Sequence, residues 1–493
     1  MEDVSKIQMN KEIRSGRFNT GKISSIFSRG ATDTTPKRIF IKTFGCQMNE
    51  YDSGVLEDIL AKAGYEVCGK EDEAEVVIVN TCSVRQHAEE RACGYLREMA
   101  RVKKERKLEE ERDITLVVMG CMAQREGERL FKIIPEVDII CGVDSYKRLP
   151  EMLAAVRKNG TKLIDLSREE RTGEECENGT RREDGEPAGG ECSLPRHSLK
   201  GYVAVMRGCN NWCSYCVVPE ARGRERSWPI SEISDEVKRL VDRGVKEVTL
   251  LGQNINAYGK DNGCGKKLVD VLEEVNKIPG LLRIRFITSH PRDAEKELFM
   301  AMRALDKVME HLHLPIQAGS DRILKLMNRG YTLKHYREII EEFRYILPEG
   351  SVGTDIIVGF PGEKEPEFRE TLRAVSEIGF DMAYMYKYSS RPGTKAYEFE
   401  DKIDEDVVRG RHQELLKLQE GISFRKNEAL IGKRVEVLVE GKSKRNPRRL
   451  SGRDRGNRIC VFEGTDELIG EVVEVKIEKA TSLALYGEIE KEL

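Results

Sequence analysis

Continuous apolar runs alternate with amphipathic stretches over most of this 493-residue chain. The first run, Arg38–Phe44, ends in Gly45-Cys46. Behind it Val55, Leu56, Ile59, Leu60 and Ala63 share one helical face, and Gly64 supplies the stop. Glu75–Thr81 and Thr115–Gly120 repeat the unit, running into Cys82 and Cys121 before further helical stretches. Strands apolar on both faces and joined by helices predict a parallel sheet covered on both sides, a Rossmann-like domain over residues 37–155. A longer alternation fills residues 198–428. Strands are expected at Tyr202–Met206, Glu247–Leu251, Leu282–Thr288, His311–Ile316, Gly353–Val358 and Met382–Tyr388. Helices are expected between them, among them Ser231–Arg243, Asp321–Met327 and Leu333–Ile346. Six parallel strands in that length predict a partial (β/α)6 barrel of the TIM type. Beyond Leu430 the period becomes two. Arg434–Glu440 alternates, and Ile459–Phe462, Gly470–Ile477 and Leu483–Ile489 follow without a helical pattern, so residues 430–493 are expected to form a small β-barrel. The fold class is α/β.

Two segments lie outside this pattern. Residues 1–36 are polar and aperiodic and read as a flexible N-terminal arm. Residues 167–197 hold nine acidic residues among Gly, Ser and Pro, the composition of a solvated polar linker. The net charge of −3 gives no global field that would attract nucleic acid. No apolar run is long enough to cross a bilayer, and Met1–Lys6 lacks a signal-peptide core. Thirteen cysteines, an odd number with metal-like clustering, fit a reducing compartment better than a disulfide framework. The expectation is a cytoplasmic protein without a membrane partner.

The chemistry is concentrated in Cys209-Asn210-Asn211-Trp212-Cys213-Ser214-Tyr215-Cys216, just after the first barrel strand. Thiols at i, i+4 and i+7 can wrap one iron–sulfur cluster. Such clusters usually take four cysteines, so three leave one iron open. A zinc knuckle would need Cys-x2–4-Cys pairs, and no second pair lies nearby. In parallel sheets the carboxyl ends of the strands form the ligand edge. Cys46, Cys82 and Cys121, each at a strand-to-helix turn, are therefore expected to meet there as a second three-thiol site; the alternative is that they are ordinary core cysteines. Cys141 reads as core, and Cys68, Cys93, Cys264 and Cys460 as structural; Cys176 and Cys192 have no partners at ligand spacing. Polar residues recur at the barrel strand ends: Gly252-Gln253-Asn254, Ser289-His290-Pro291, Gln317–Ser320 and Gly359–Glu363. His311 and His313 alternate with leucines and read as polar residues of the barrel interior. Between the strands of the small barrel, Lys442, Lys444, Arg445, Arg448, Arg449, Arg453, Arg455 and Arg458 stand against Asp454 alone. A basic loop of that density is an electrostatic footprint for a nucleic-acid backbone, with a solvated charge run as the alternative.

These motifs resemble the methylthiotransferase family of radical S-adenosylmethionine (SAM) enzymes. Gly45–Asn49, Asn80–Arg85 and Gly120–Gln124 look like its amino-terminal domain, and Arg207–Pro219 with Arg222–Glu225 like its radical-SAM motif. Leu251–Asn254 and Asp355–Glu363 continue the likeness, which covers nearly everything from Lys37 to the end, with residues 1–36 and 167–197 outside it, and the tail resembles a TRAM domain. The resemblance implies methylthiolation of C2 of N6-isopentenyladenosine next to the anticodon in tRNA. It implies a [4Fe–4S] cluster on Cys209, Cys213 and Cys216 that cleaves SAM, and an auxiliary [4Fe–4S] cluster on Cys46, Cys82 and Cys121 that carries the sulfur. By strand-end position and family analogy, Gly252, Gln253, Ser289, Gln317, Arg329 and Asp355 are expected to contact SAM. The implied partners are the tRNA anticodon stem-loop, an electron donor such as flavodoxin or ferredoxin, and Fe–S or sulfur carrier proteins.

Two other functions fit parts of the sequence. One is methylthiolation of threonylcarbamoyl-adenosine in tRNA or of a ribosomal protein, against which the Cys-Asn-Asn opening and the Lys442–Arg458 run weigh. The other is an Fe–S RNA-binding module without catalysis, against which the polar strand ends of the barrel weigh.

Overall fold

The structure, a computed structural model, describes residues 37–84, 86–109, 113–168, 198–261, 263 and 265–492. The expectations for residues 1–36, for the linker beyond Arg168 with Cys176 and Cys192, and for Cys264 lie outside the described residues. The chain forms two compact units, whose described parts are residues 37–168 and 198–492.

The first unit runs β1 (Lys37–Thr43), α1 (Gln47–Lys62), β2 (Tyr65–Val67), β3 (Val76–Thr81), α2 (Gln86–Leu108), β4 (Thr115–Gly120), α3 (Cys121–Glu126), α4 (Arg129–Ile133), β5 (Ile139–Cys141), α5 (Leu149–Asn159) and β6 (Leu163–Asp165). Its six strands are parallel in the order β2-β1-β3-β4-β5-β6. Every residue of β3 is buried, as a central strand covered on both faces requires. The doubly wound class is the expected one, and its order places the switch point between β1 and β3. The three-residue strands β2, β5 and β6 were not expected; they are too short to show a period.

The second unit begins with β7 (Lys200–Ala204), β8 (Met206–Arg207), α6 (Val218–Arg222), β9 (Arg226–Ser227), α7 (Ile230–Asp242), β10 (Glu247–Leu251), α8 (Leu268–Asn276), β11 (Arg283–Phe286) and α9 (Lys296–Ala304). It continues with β12 (His311–His313), α10 (Asp321–Leu326), α11 (Leu333–Ile346), β13 (Ser351–Val358), α12 (Glu365–Ile378), β14 (Met382–Lys387) and α13 (Glu405–Glu428). The parallel strands form two three-stranded sheets, β11-β10-β7 and β12-β13-β14. Hydrogen bonds from Ile284 N to Lys307 O (2.7 Å) and from Met309 N to Ile284 O (3.0 Å) bridge the seam, giving the open six-stranded barrel expected. β15 (Arg434–Lys442), β16 (Leu450–Asp454), β17 (Ile459–Phe462), β18 (Val472–Ala480) and β19 (Ala484–Glu492) close the small barrel in the order β15-β16-β17-β19-β18.

The basic run departs from the expected single loop, because β16 crosses its middle. Its far end plugs the amino-terminal mouth of the large barrel, the mouth opposite the strand carboxyl ends. Arg283, which opens β11, donates to Arg453 O (2.6 Å) and Glu436 Oε1 (2.9 Å). Arg285 donates to Asp454 O (2.8 Å), and Ser351, which opens β13, to Gly456 O (2.6 Å). Arg455 grips both carboxylate oxygens of Glu310 at 2.7 Å. Arg458 reaches Asp381 Oδ1 at 2.6 Å and Asp454 Oδ2 at 3.1 Å. Arg455 and Arg458, expected to contact RNA, direct their guanidiniums at carboxylates of the protein: Arg455 holds Glu310 in bidentate fashion, and Arg458 bridges two aspartates.

Candidate functional site

The cysteine loop leaves the carboxyl end of the first barrel strand and is pinched at its base by the antiparallel pair β8–β9. Gly208, at φ +81°, lies so close to the Arg224 carbonyl that a Cβ would overlap it. Cys209 N donates to Gly223 O (3.1 Å) and Gly208 N to Gln253 Oε1 (2.5 Å). Asn210 and Glu225 bond reciprocally, Asn210 N to Glu225 Oε1 at 3.1 Å and Glu225 N to Asn210 Oδ1 at 3.3 Å. The far side is tied to the turn after α10. Ser214 N donates to Met327 O (3.0 Å), Ser214 Oγ to Leu326 O (2.8 Å), and Asn328 Nδ2 to Trp212 O (2.9 Å). Arg329 Nη1 points at Cys213 Sγ from 3.2 Å.

Three thiols on one clamped loop suit a cluster. Burial pushes the Cys209 thiol up to about 11, helped by the neighbouring Cys213. Burial and Cys213 likewise push Cys216 up to about 12. Such thiols stay protonated at neutral pH, and a bound metal ion is what would remove the proton. Among the described residues no three ligating groups close around a single ion. Ligands to the separate irons of a cluster stand farther apart than those of a one-metal site.

Buried polar atoms without a hydrogen-bond partner gather along the carboxyl rim: Asn254 Oδ1, Ser289 Oγ, His290 Nε2 and Gln317 Oε1. A buried polar group left unpaired is costly, so the rim fits a polar ligand that would satisfy them. Thr288 (φ +68°) and Gln317 (φ +67°) hold backbone conformations that side-chain-bearing residues avoid, as residues at functional sites often do. Of the residues expected to contact SAM, Ser289 and Gln317 offer these open atoms. Gly252 packs against Met206, and Gln253 already spends its side-chain oxygen on Gly208 N. Asp355 Oδ1 lies 3.4 Å from His313 Nε2, while His313 Nδ1 faces Thr288 N at 3.3 Å. Sequence reasoning placed Asn254 at a polar strand end but not among the SAM contacts, and did not mark Asp293, whose side chain joins Asn254 at 2.8 Å, with Lys260 Nζ 2.7 Å from Asp293. The Gly-Gln-Asn motif was a signal for Asn254. Nothing local marks Asp293, 39 residues away.

In the first unit Cys46, Cys82 and Cys121 follow β1, β3 and β4, three adjacent strands, at one rim. The Cys82 thiol hydrogen-bonds that of Cys46; this, burial and the neighbouring Cys46 and Cys121 raise it far above the ordinary thiol range. Buried Asn49 and Asn80 lock the turns together. Asn49 Nδ2 donates to Phe44 O (3.0 Å) and Thr81 O (2.9 Å), and Asn80 Nδ2 to Asn49 O (2.8 Å). Gly45 (φ +122°) and Gly120 (φ +93°) precede two of the cysteines where a Cβ would strike Cys82 and Asn80 respectively, so the cradle is built tight around the thiols. Cys141 lies buried at the end of β5 with Asp165 and Arg148 as its charged neighbours. Cys68 and Cys460 are buried.

On the small barrel Lys444, Arg445 and Arg448 are exposed on the turn between β15 and β16, and no ion pair engages them among the described residues. Lys442 pairs with Asp466 (2.8 Å), Arg449 with Glu463 (3.3 Å), and Arg453 reaches Glu440 (3.5 Å). No helix among the described residues is long and apolar enough to cross a membrane.

Residues 203–375 match the model of the radical SAM superfamily, residues 428–489 that of the TRAM domain, and residues 38–142 that of uncharacterized protein family UPF0004. Barrel, cysteine loop and match together define a radical SAM enzyme, which binds SAM and an iron–sulfur cluster. A radical SAM methyltransferase, TsrM from Kitasatospora setae, solved with cobalamin and a [4Fe–4S] cluster, shares the fold at 15% identity and a TM-score of 0.50, covering 73% of this chain and 74% of that one. The tRNA-2-methylthio-N(6)-dimethylallyladenosine synthase of Natranaerobius thermophilus is 42% identical, covering 92% of this chain and 97% of its own. That of Acetivibrio thermocellus is 43% identical, covering 95% and 94%. The chain belongs to the family of tRNA-2-methylthio-N(6)-dimethylallyladenosine synthases.

Proposed function

We propose that this enzyme replaces the hydrogen on C2 of N6-isopentenyladenosine, next to the anticodon of tRNA, with a methylthio group, using two [4Fe–4S] clusters and SAM. The observation that carries this reading is the clamped cysteine loop at the carboxyl rim of an open barrel, in a chain alike over its length to synthases of this product. C2 is an unactivated aromatic carbon, so no acid–base pair can remove its hydrogen. A cluster with one open iron, together with SAM, supplies the radical chemistry that can.

The chain's own residues bind and orient. Cys209, Cys213 and Cys216 hold the radical cluster, and Cys46, Cys82 and Cys121 the auxiliary one that carries sulfur. Ser289 and Gln317 offer SAM their open polar atoms, with Gly252, Gln253, Arg329 and Asp355 as further contacts. Gln253 also fixes the start of the cysteine loop through Gly208 N. His290 Nδ1 accepts from Arg292 N (3.2 Å), which leaves Nε2 as the proton-bearing nitrogen facing the rim. Burial, with the charges of Arg329, Arg292 and Lys260, holds that imidazole down at about 2, so it stays neutral and donates. Lys444, Arg445 and Arg448 grip the RNA backbone, with Lys442, Arg449 and Arg453 beside them. The target base leaves the single-stranded anticodon loop to reach the barrel. A cytoplasmic setting, a flavodoxin- or ferredoxin-type donor and a source of replacement sulfur complete the reading.

Cys213→Ala tests the assignment of the radical site. The variant should bind tRNA as the parent does and lose SAM cleavage. Retained modification of tRNA would overturn the mechanism.

A further inference from the structure

Arg329 is 6% exposed, and no carboxylate pairs with it among the described residues. Its guanidinium donates through Nε to the Tyr331 hydroxyl (3.2 Å), through Nη2 to Pro315 O (3.3 Å) and through Nη1 to Cys213 Sγ (3.2 Å). An always-charged arginine buried among neutral oxygens needs an anion. The sulfur of Cys213 is the atom at hydrogen-bond distance that becomes one on binding iron.

The surrounding backbone is shaped to present the cation there. Asn328 (φ +56°) and Gly330 (φ +71°) flank Arg329 in left-handed conformations, and Arg329 N caps α10 through Leu324 O at 3.0 Å. The Ser214 and Asn328 bonds hold this turn against the cysteine loop without using the guanidinium. The loop's position therefore does not depend on the arginine's charge, and the contact with sulfur is an addition to that framework.

We propose that Arg329 is the counter-ion of the Cys213 thiolate and sets the reduction potential of the cluster that Cys209, Cys213 and Cys216 hold. The inference rests on the assignment of those cysteines as ligands and goes beyond the expectation that Arg329 contacts SAM. Reduction adds one electron from a low-potential donor, with no bond made or broken. The added negative charge is stabilised by a fixed cation on a ligand sulfur, and hydrogen bonds to cluster sulfurs are among the features that set such potentials. Arg329 is thus a positioning and tuning residue, acting through Cys213.

The test is an EPR-monitored potentiometric titration of the full-length protein, reconstituted anaerobically with iron and sulfide and poised with dithionite, without SAM. Adding SAM afterwards marks the relevant signal as the one it perturbs. Arg329→Gln should keep the parent's iron content yet show about a tenfold lower reduced-to-oxidised ratio at a given potential, a midpoint ~59 mV more negative. Arg329→Lys, which retains the charge, should recover most of the shift. A glutamine variant with full iron and an unchanged midpoint would overturn the proposal. If its SAM affinity alone fell, Arg329 would return to the SAM site. The underlying ligand assignment fails differently: Cys213→Ala would then leave the SAM-perturbed signal intact.

Discussion

Gly208 shows at the scale of one residue how closely the site is built. Its positive φ and the neighbouring Arg224 carbonyl leave no room for a methyl group. Gly208→Ala should therefore displace Cys209, with loss of the iron held by that loop and of SAM cleavage, while the auxiliary iron stays bound. Iron analysis would check this: the single variant should keep only part of the parent's iron, and the same change in a background lacking Cys46, Cys82 and Cys121 almost none, whereas full iron retention would contradict it. His290 gives a pH prediction with a definite sign. Its folded value, about 2, lies below the unfolded value near 6.5, so the unfolded chain binds the extra proton between them. Stability is then lost as pH falls below about 6.5. Between pH 7 and 5.5 His290→Gln should lose about 1 kcal/mol less than the parent. Both tryptophans, Trp212 and Trp228, lie in the second unit, so fluorescence during urea unfolding reads that unit directly.

At the scale of elements, the strands of both large domains were legible because each is an apolar run between turn signals. Glu247–Leu251 and Thr115–Gly120 form as read, and others shift by a residue or more at their ends. β16 was not legible. Its inward residues are Leu450, Gly452 and Asp454, and a glycine and a buried aspartate disguise the two-residue period among arginines. The role of its flanking arginines was equally hidden, since Glu310 is 145 residues from Arg455 and Asp381 is 77 from Arg458. The same run of charge thus divides into two jobs that mutation can separate. Arg458→Ala should destabilise the second unit by about 3 kcal/mol, the low end for a broken buried pair, because Lys426 still reaches Asp381 at 3.1 Å. Replacing Lys444, Arg445 and Arg448 together by alanine should change stability by under about 0.5 kcal/mol per substitution. It should weaken tRNA binding and flatten its dependence on log salt by about 2. Filter-binding titrations at several salt concentrations, beside urea unfolding, distinguish the two outcomes.

At the scale of the molecule, a net charge of −3 means that affinity for RNA rests on placement of cations and not on a global field. The two groups of three cysteines illustrate two routes by which a chain brings thiols together. One is written in local spacing and was readable at once. The other is assembled by the parallel order of β1, β3 and β4 and followed from the alternation of strands and helices. The rim residues were legible as polar strand ends, but that their side-chain atoms stay unpaired was not, since satisfaction of a hydrogen bond is decided by packing. The most direct test of the whole account is nucleoside mass spectrometry. The protein is reconstituted anaerobically with iron and sulfide, given SAM, reductant and isopentenylated tRNA, and the tRNA is digested. A new 2-methylthio-N6-isopentenyladenosine peak that depends on SAM is the expected result. Cleavage of SAM with the adenosine untouched would contradict the substrate assignment and direct the search to threonylcarbamoyl-adenosine tRNA and a ribosomal protein.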